Sequence, residues 1–282
     1  MGATQKLATL ADTSTPTSAV PSRRHWLVLL IIPIVICVVL LVNKEEPGSS
    51  PAPTTPPPQT TLQPPEPAYS TSLPPVVGTP MLLFVGDSIT QLAANPATRG
   101  FQANLSYDYI RRADIANRGL SGWNTRGWRQ VLPQLLNEWV AKPPRLVVLF
   151  LGANDAAVPG DYLEVPLDEY GANLAAMVAA MNATFLAPAF ILVTPPAFDD
   201  ASSWPRRNAR TGIYAQRCQE VAANLSVPVL DLWTPWQGQQ QTMLIDGLHL
   251  SPAGNDYVHS QLLALIRKDI PKLAPEALPI QF

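Results

Sequence analysis

Residues 145–155 read RLVVLFLGAND: six consecutive apolar residues, Leu146 to Leu151, then the polar cluster Gly152-Ala153-Asn154-Asp155. A strand with one face in water alternates apolar and polar residues, whereas an unbroken apolar run fits a strand covered on both faces by helices. The strand is read over Arg145 to Leu151, with four more near Met81 to Val85, Asp114 to Asn117, Ala189 to Thr194 and Val227 to Asp231. Helical periodicity fills the intervals, near 99–112, 125–141, 167–186 and 208–225, and again from Pro252 to about Lys268. This alternation predicts an α/β chain: a three-layer α/β/α sandwich around a mostly parallel five-stranded sheet. In such sheets the ligand crevice opens at the carboxyl ends of the strands, so the chemistry is sought in the loops that follow them.

The pattern occupies 81–282 of a 282-residue chain, and about 200 residues suffice for one domain with a sizeable core. What precedes it differs in composition. Of the 31 prolines, 12 fall within 43–80, interleaved with Ser and Thr. That segment cannot bury a core, and it reads as an extended stalk of polyproline II character open to O-glycosylation. A ligand for proline-reading domains is the other reading, but the topology below puts this segment outside the cytosol.

Residues 26–42, WLVLLIIPIVICVVLLV, carry no charge. At 1.5 Å per residue the run spans roughly 25 Å, and Pro33 kinks it without preventing insertion. A buried core helix would show a polar face, and a cleaved signal peptide would be followed by small residues. Here Asn43-Lys44-Glu45-Glu46 follows, so the run is read as a retained signal-anchor. Arg23 and Arg24 abut it on the amino side. The positive-inside rule then leaves the tail 1–25 in the cytosol and makes the chain a type II membrane protein, with 81–282 in the secretory-pathway lumen or at the cell surface. Three N-glycosylation sequons, at Asn104, Asn182 and Asn224, agree with that placement, with burial weighed against the third.

Composition narrows the function. A net charge of -2 without a basic cluster leaves no electrostatic footprint for nucleic acid. Two cysteines, Cys37 in the apolar span and Cys218 in a helical pattern, make no disulfide framework, and the latter reads as core. No CxxC pair or HExxH spacing is present, so neither metal nor cofactor is expected.

Four polar clusters follow strands or precede a helix: Gly86-Asp87-Ser88-Ile89-Thr90, Asn117-Arg118-Gly119-Leu120-Ser121-Gly122, Gly152-Ala153-Asn154-Asp155 and Asp246-Gly247-Leu248-His249-Leu250-Ser251-Pro252. A serine hydroxyl becomes a nucleophile only beside a base that a third group orients. Of three histidines, His25 adjoins the apolar span and His259 falls inside a helix, which leaves His249. Asp246, three residues earlier, can accept from Nδ1–H and so present Nε2 to Ser88. The Ser88 and Gly119 backbone N–H groups and the Asn154 amide are suitable oxyanion donors.

Each cluster alone could be a plain turn or helix cap. Ser251-Pro252 reads as cap and first helical residue, a role that fixes the loop bearing His249. Ser121 is a rival nucleophile, but Gly119-Leu120-Ser121-Gly122-Trp123 lacks the final glycine of a nucleophile elbow. The tryptophans Trp128, Trp233 and Trp236 read as core, and Trp123, with core as its other reading, is the candidate for a wall of the substrate pocket; Arg206, Arg207 and Arg210 read as a solvated helix face, with a loop that shapes substrate access as the other reading.

Taken together, these residues resemble the SGNH or GDSL hydrolases, whose defining Ser, Gly, Asn and His match Ser88, Gly119, Asn154 and His249. The resemblance covers essentially all of 81–282, and it implies that Asp246 completes the triad. The stretches FLGANDA (150–156), VPLDEY (165–170) with Asn173-Leu174, ILVTPP (191–196) and DGLHLSPAG (246–254) are similar to the isoamyl acetate-hydrolysing esterase branch, whose members cleave short-chain acetate esters. That branch is typically soluble and intracellular, and the anchor and stalk depart from it. The resulting expectation is a membrane-anchored serine esterase for a small-molecule ester. A glycan O-acetylesterase acting on an acetylated glycan is the rival enzyme, and a catalytically silent binding module on a stalk is the rival of another class.

Overall fold

The computed structural model describes residues 78–281. The anchor over 26–42, the tail before it and most of the stalk lie outside the described residues, among which no helix is long and apolar enough to cross a membrane.

Five strands, β1 (Met81–Gly86), β2 (Asp114–Gly119), β3 (Leu146–Phe150), β4 (Ala189–Val193) and β5 (Val229–Leu230), form one sheet in the order β2-β1-β3-β4-β5. All four pairings are parallel, one step beyond the mostly parallel sheet expected. Among the described residues seven α-helices accompany them: α1 (Ser88–Leu92), α2 (Phe101–Asp108), α3 (Thr125–Trp139), α4 (Leu167–Thr184), α5 (Asn208–Leu225), α6 (Gln240–Met243) and α7 (Pro252–Asp269).

Successive strand residues feed opposite cores, which explains the unbroken apolar run of β3. Leu146, Val148 and Phe150 pack with Ile89 of α1, Phe101 and Leu105 of α2 and Val258, Leu262 and Ile266 of α7. Val147 and Leu149 pack with Trp128 and Leu132 of α3, Leu174 and Met177 of α4 and Tyr214 and Cys218 of α5. Both faces are apolar because both are covered. Cys218 is therefore a core residue, and burial pushes its thiol up to about 12. Trp128 and Trp236 are also buried as expected, while Trp233 is half-buried.

The register aligns the strand ends. Gly86 pairs with Gly119 and with Phe150, Phe150 with Val193, and Val193 with Leu230, so the following loops share one edge of the sheet. Strand β1 lies between β2 and β3, so the chain winds one way from β1 to β2 and the other way from β3 onward. That reversal opens the crevice between the ends of β1 and β3, where Ser88 and Asn154 lie.

Three differences from the sequence reading have local causes. Helices α1 and α6 span 5 and 4 residues, too few to carry a period. Strand β5 is shorter than Val227 to Asp231 because Pro228 has no N–H to pair, and the Asp231 carboxylate turns the chain by accepting from the N–H groups of Trp233 and Thr234. Helix α2 starts late because a 3-10 turn at Pro96–Thr98 and a left-handed Arg99 precede it. Of the sequon asparagines, Asn104 is half-buried in α2, while Asn182 in α4 and Asn224 in α5 are exposed, so burial does not disfavour the third.

Candidate active site

Ser88 opens α1 directly after β1. Asp87 caps that helix with its carboxylate on the Ile89 N–H at 2.9 Å, which holds Ser88 at the strand end. His249 arrives from a loop built as a clamp. Asp246 Oδ1 accepts from the N–H groups of Leu248 and His249 at 3.0 and 2.8 Å. The Ile245 N–H donates to the His249 carbonyl at 2.8 Å, and Ser251 caps α7 on the Gly254 N–H at 3.1 Å. Within this frame the second oxygen of Asp246 lies 2.8 Å from His249 Nδ1, and His249 Nε2 lies 2.8 Å from Ser88 Oγ. The carboxylate fixes the tautomer with hydrogen on Nδ1, so Nε2 accepts from the Ser88 hydroxyl. Burial pushes the Asp246 carboxyl up, but the His249 and Leu248 N–H groups and the imidazole outweigh it and hold the group below its usual range. Asp246 therefore stays anionic opposite the ring.

Asn154, after β3, is buried, and its amide donates from Nδ2 to the Trp123 carbonyl at 2.7 Å. Its Oδ1 accepts from Nη2 of Arg206 at 2.5 Å, while Arg206 Nε donates to the Ala153 carbonyl at 2.7 Å. Arg206 is only 2% exposed, so it does not belong to the solvated helix face expected for it; Arg207 is exposed and Arg210 half-buried. Arg210 joins Glu164 and the Ala157 carbonyl at 2.7 and 2.8 Å.

Gly119 stands differently from its expected role. Its N–H donates to Asn117 Oδ1 at 2.8 Å, and a Cβ there would meet the backbone nitrogen of Gln91 at 2.0 Å. Glycine is needed at 119 for α1 to approach β2, and the N–H is not free for a ligand. Along the loop that follows, the Leu120 N–H donates to the Gly86 carbonyl, that of Ser121 to Gln91 Oε1 and that of Trp123 to the Leu120 carbonyl. Within 119–123 only the Gly122 N–H has no acceptor among the described residues, and Gly122 holds the left-handed φ of 76° that an L side chain resists.

The aromatic neighbours are also redistributed. Trp123 meets the Asn154 amide with its carbonyl, whereas its ring packs on Trp128 at 5.5 Å beside a hollow of about 240 Å³. The ring that lies against the histidine is Trp204, edge-on to His249 at 6.0 Å and 41% exposed. Ser202 donates to the Asp246 carbonyl at 2.9 Å, so the segment bearing Trp204 is fastened to the histidine loop. Ser121, the rival nucleophile, is exposed. His259 joins Asp108 at 2.5 Å on α7, in agreement with a role apart from the site.

Two carboxyls beneath the site are fully buried. Burial pushes Asp87 to about 7 and Asp155 to about 6, although the latter accepts from both the backbone N–H and the hydroxyl of Thr125.

Residues 84–257 match the GDSL-like lipase/acylhydrolase family. The isoamyl acetate-hydrolyzing esterase 1 homolog of Homo sapiens is 38% identical over 217 residues, which cover 71% of this chain and 86% of that protein. A GDSL esterase/lipase of Arabidopsis thaliana is 33% identical over 224 residues, covering 72% and 91%. Among solved structures, an acetylxylan esterase from Geobacillus stearothermophilus is similar in fold, with a TM-score of 0.55 at 21% identity over 68% of this chain and 96% of that one. Sequence similarity sets the class, a carboxylic ester hydrolase. The chain belongs to the GDSL-like lipase/acylhydrolase family.

Proposed function

We propose that this chain hydrolyses short-chain carboxylic esters, acetate esters foremost, through an acyl-enzyme on Ser88. The observation that carries the reading is the unbroken line from Asp246 through His249 to Ser88, with both links at 2.8 Å. Ser88 Oγ attacks the carbonyl carbon as its proton passes to His249 Nε2, and the carbonyl electron pair moves onto oxygen. Asp246 stabilises the imidazolium. The oxyanion accepts from the Ser88 N–H, the remaining Asn154 Nδ2–H and, in place of Gly119, the Gly122 N–H. When the intermediate collapses, the ester C–O bond breaks and His249 returns the proton to the leaving alcohol. Water then attacks the acetyl-Ser88 carbonyl by the same proton route and releases acetate. A binding module has no use for a base and its orienting carboxylate.

The preference for acetate rests on the names of the relatives, and the alcohol rests on geometry. His249 must reach the leaving oxygen, so the alcohol lies on the side of the imidazole, where Trp204 borders it; Trp204 replaces Trp123 as the pocket residue proposed. The test is a panel on the full chain: isoamyl acetate and p-nitrophenyl acetate, the corresponding octanoates, and acetylated xylan. Acetates are expected to exceed octanoates by about tenfold or more in kcat/KM. Trp204→Ala is expected to lower kcat/KM for isoamyl acetate by about tenfold while the deacylation rate, common to all acetates, stays unchanged. Faster turnover of octanoates would overturn the acetate preference, and preference for acetylated xylan would establish the glycan reading.

The anchor over 26–42 and the stalk belong to the same proposal, with the hydrolase domain lumenal or extracellular. Support comes from the uncharged run, the flanking Arg23 and Arg24, and exposed Asn182 and Asn224. Peptide N-glycosidase is expected to lower the mass of the full chain made in cells. Digestion of the C-terminal domain by protease added to sealed microsomes would reverse the topology.

A further inference from the structure

Asn154 has a side chain whose two ends differ only in which is oxygen and which is nitrogen, and an oxyanion donor works only if nitrogen faces the substrate. Both of its neighbours are one-way groups. A guanidinium only donates and a backbone carbonyl only accepts, so Oδ1 must face Arg206 and Nδ2 must face the Trp123 carbonyl. One Nδ2–H is then left over. Turned through 180°, the amide would set Nδ2–H against a guanidinium and Oδ1 against a carbonyl, and would offer its oxygen's side to the substrate.

The guanidinium itself is fixed. Arg206 is 2% exposed, donates from Nε to the Ala153 carbonyl at 2.7 Å and lies over the Trp204 ring at 5.8 Å. Its two neighbouring donors thus address Ala153 and Asn154 as a fork, a geometry that a lysine ammonium cannot copy. Burial makes such a cation costly to keep, and the neighbouring Arg207, unlike it, is exposed.

We propose that Arg206 is a positioning residue for ester hydrolysis: it locks the Asn154 amide with nitrogen toward the substrate and polarises the Nδ2–H that meets the oxyanion. The inference rests on the oxyanion role proposed above for Asn154. The polarisation grows in importance as negative charge develops on the carbonyl oxygen, so it acts on kcat more than on substrate binding.

The experiment is a double-mutant cycle on the full chain, with p-nitrophenyl acetate as substrate. Arg206→Met is expected to lower kcat by about 10- to 100-fold, with KM within about twofold. Arg206→Lys, which keeps the charge but loses the fork, is expected to fall between Arg206→Met and the unaltered chain, and it carries the cycle if the methionine variant does not fold. In the Asn154→Ala background either Arg206 substitution is expected to cost less than about threefold, because the amide through which it acts is gone. Equal losses in both backgrounds, or an unchanged kcat in Arg206→Met, would overturn the inference. An Asn154→Ala variant of full activity would instead overturn the oxyanion role of Asn154.

Discussion

Ser88→Ala is expected to lower kcat for p-nitrophenyl acetate by about 10⁴-fold or more and to move Tm by no more than about 2 °C. The two halves of this expectation have separate causes. Without Oγ no acyl-enzyme forms, and only the donors around the carbonyl oxygen remain to favour direct attack by water. The fold is little affected because the hydroxyl's partner in the described structure is the half-buried His249 ring, which water can solvate once the hydroxyl is gone. Steady-state kinetics and a thermal melt on the same preparation check both. Activity retained with an unchanged melt would move the nucleophile elsewhere, and exposed Ser121 would be the first residue to examine.

The second large effect belongs to Asn154. Asn154→Ala is expected to cost about 10²- to 10³-fold in kcat with a smaller change in KM, the pattern for a donor that acts mainly on the transition state. It also orphans the Trp123 carbonyl and an Arg206 donor in a buried setting, so a stability loss of about 1–3 kcal/mol should accompany it. Asn154→Asp separates the two effects. A carboxylate keeps the Arg206 contact but cannot donate, and it brings negative charge to the place where negative charge must develop. Its kcat is expected to be no higher than that of Asn154→Ala; an aspartate variant close to the unaltered enzyme would exclude Asn154 as an oxyanion donor.

The site is also a place where folding works against pH. Burial raises Asp87 to about 7 and Asp155 to about 6, from an ordinary value of 3.8. Between these limits the folded chain holds protons that the unfolded chain has released, so stability falls as pH rises through the window, and the penalty is complete above about pH 7. Arg206 lies near enough to Asp87 to offset part of it.

The layers of the fold were legible because burial on both faces forces an apolar run, and Leu146 to Phe150 carries that signature without ambiguity. The proposed nucleophile, base and orienting carboxylate were legible for a related reason. Ser88 follows a strand, only one of three histidines is placed to act, and Asp246 sits three residues before it. The remaining parts depend on contacts between segments far apart in sequence. Arg206 reads as a surface arginine because nothing in a string of residues marks that the chain folds over it to meet Asn154, 52 residues away. Gly119 ends β2 and Gly122 lies three residues further on, and only the hydrogen bond from the Gly119 N–H to Asn117, with the close approach of Gln91, separates a packing glycine from one whose N–H has no acceptor among the described residues. Trp204, to which the sequence gives no role, meets the histidine and Trp123 does not, because ring direction, not nearness in sequence, decides which aromatic lies there.

The most direct measurement is fluorophosphonate labelling of the native full chain, followed by mass spectrometry of its peptides. One equivalent of adduct on the peptide containing Ser88 is expected, with labelling abolished or slowed severely in His249→Ala. No adduct on Ser88 in a folded chain, or an equal labelling rate without His249, would contradict a Ser88 nucleophile activated by His249.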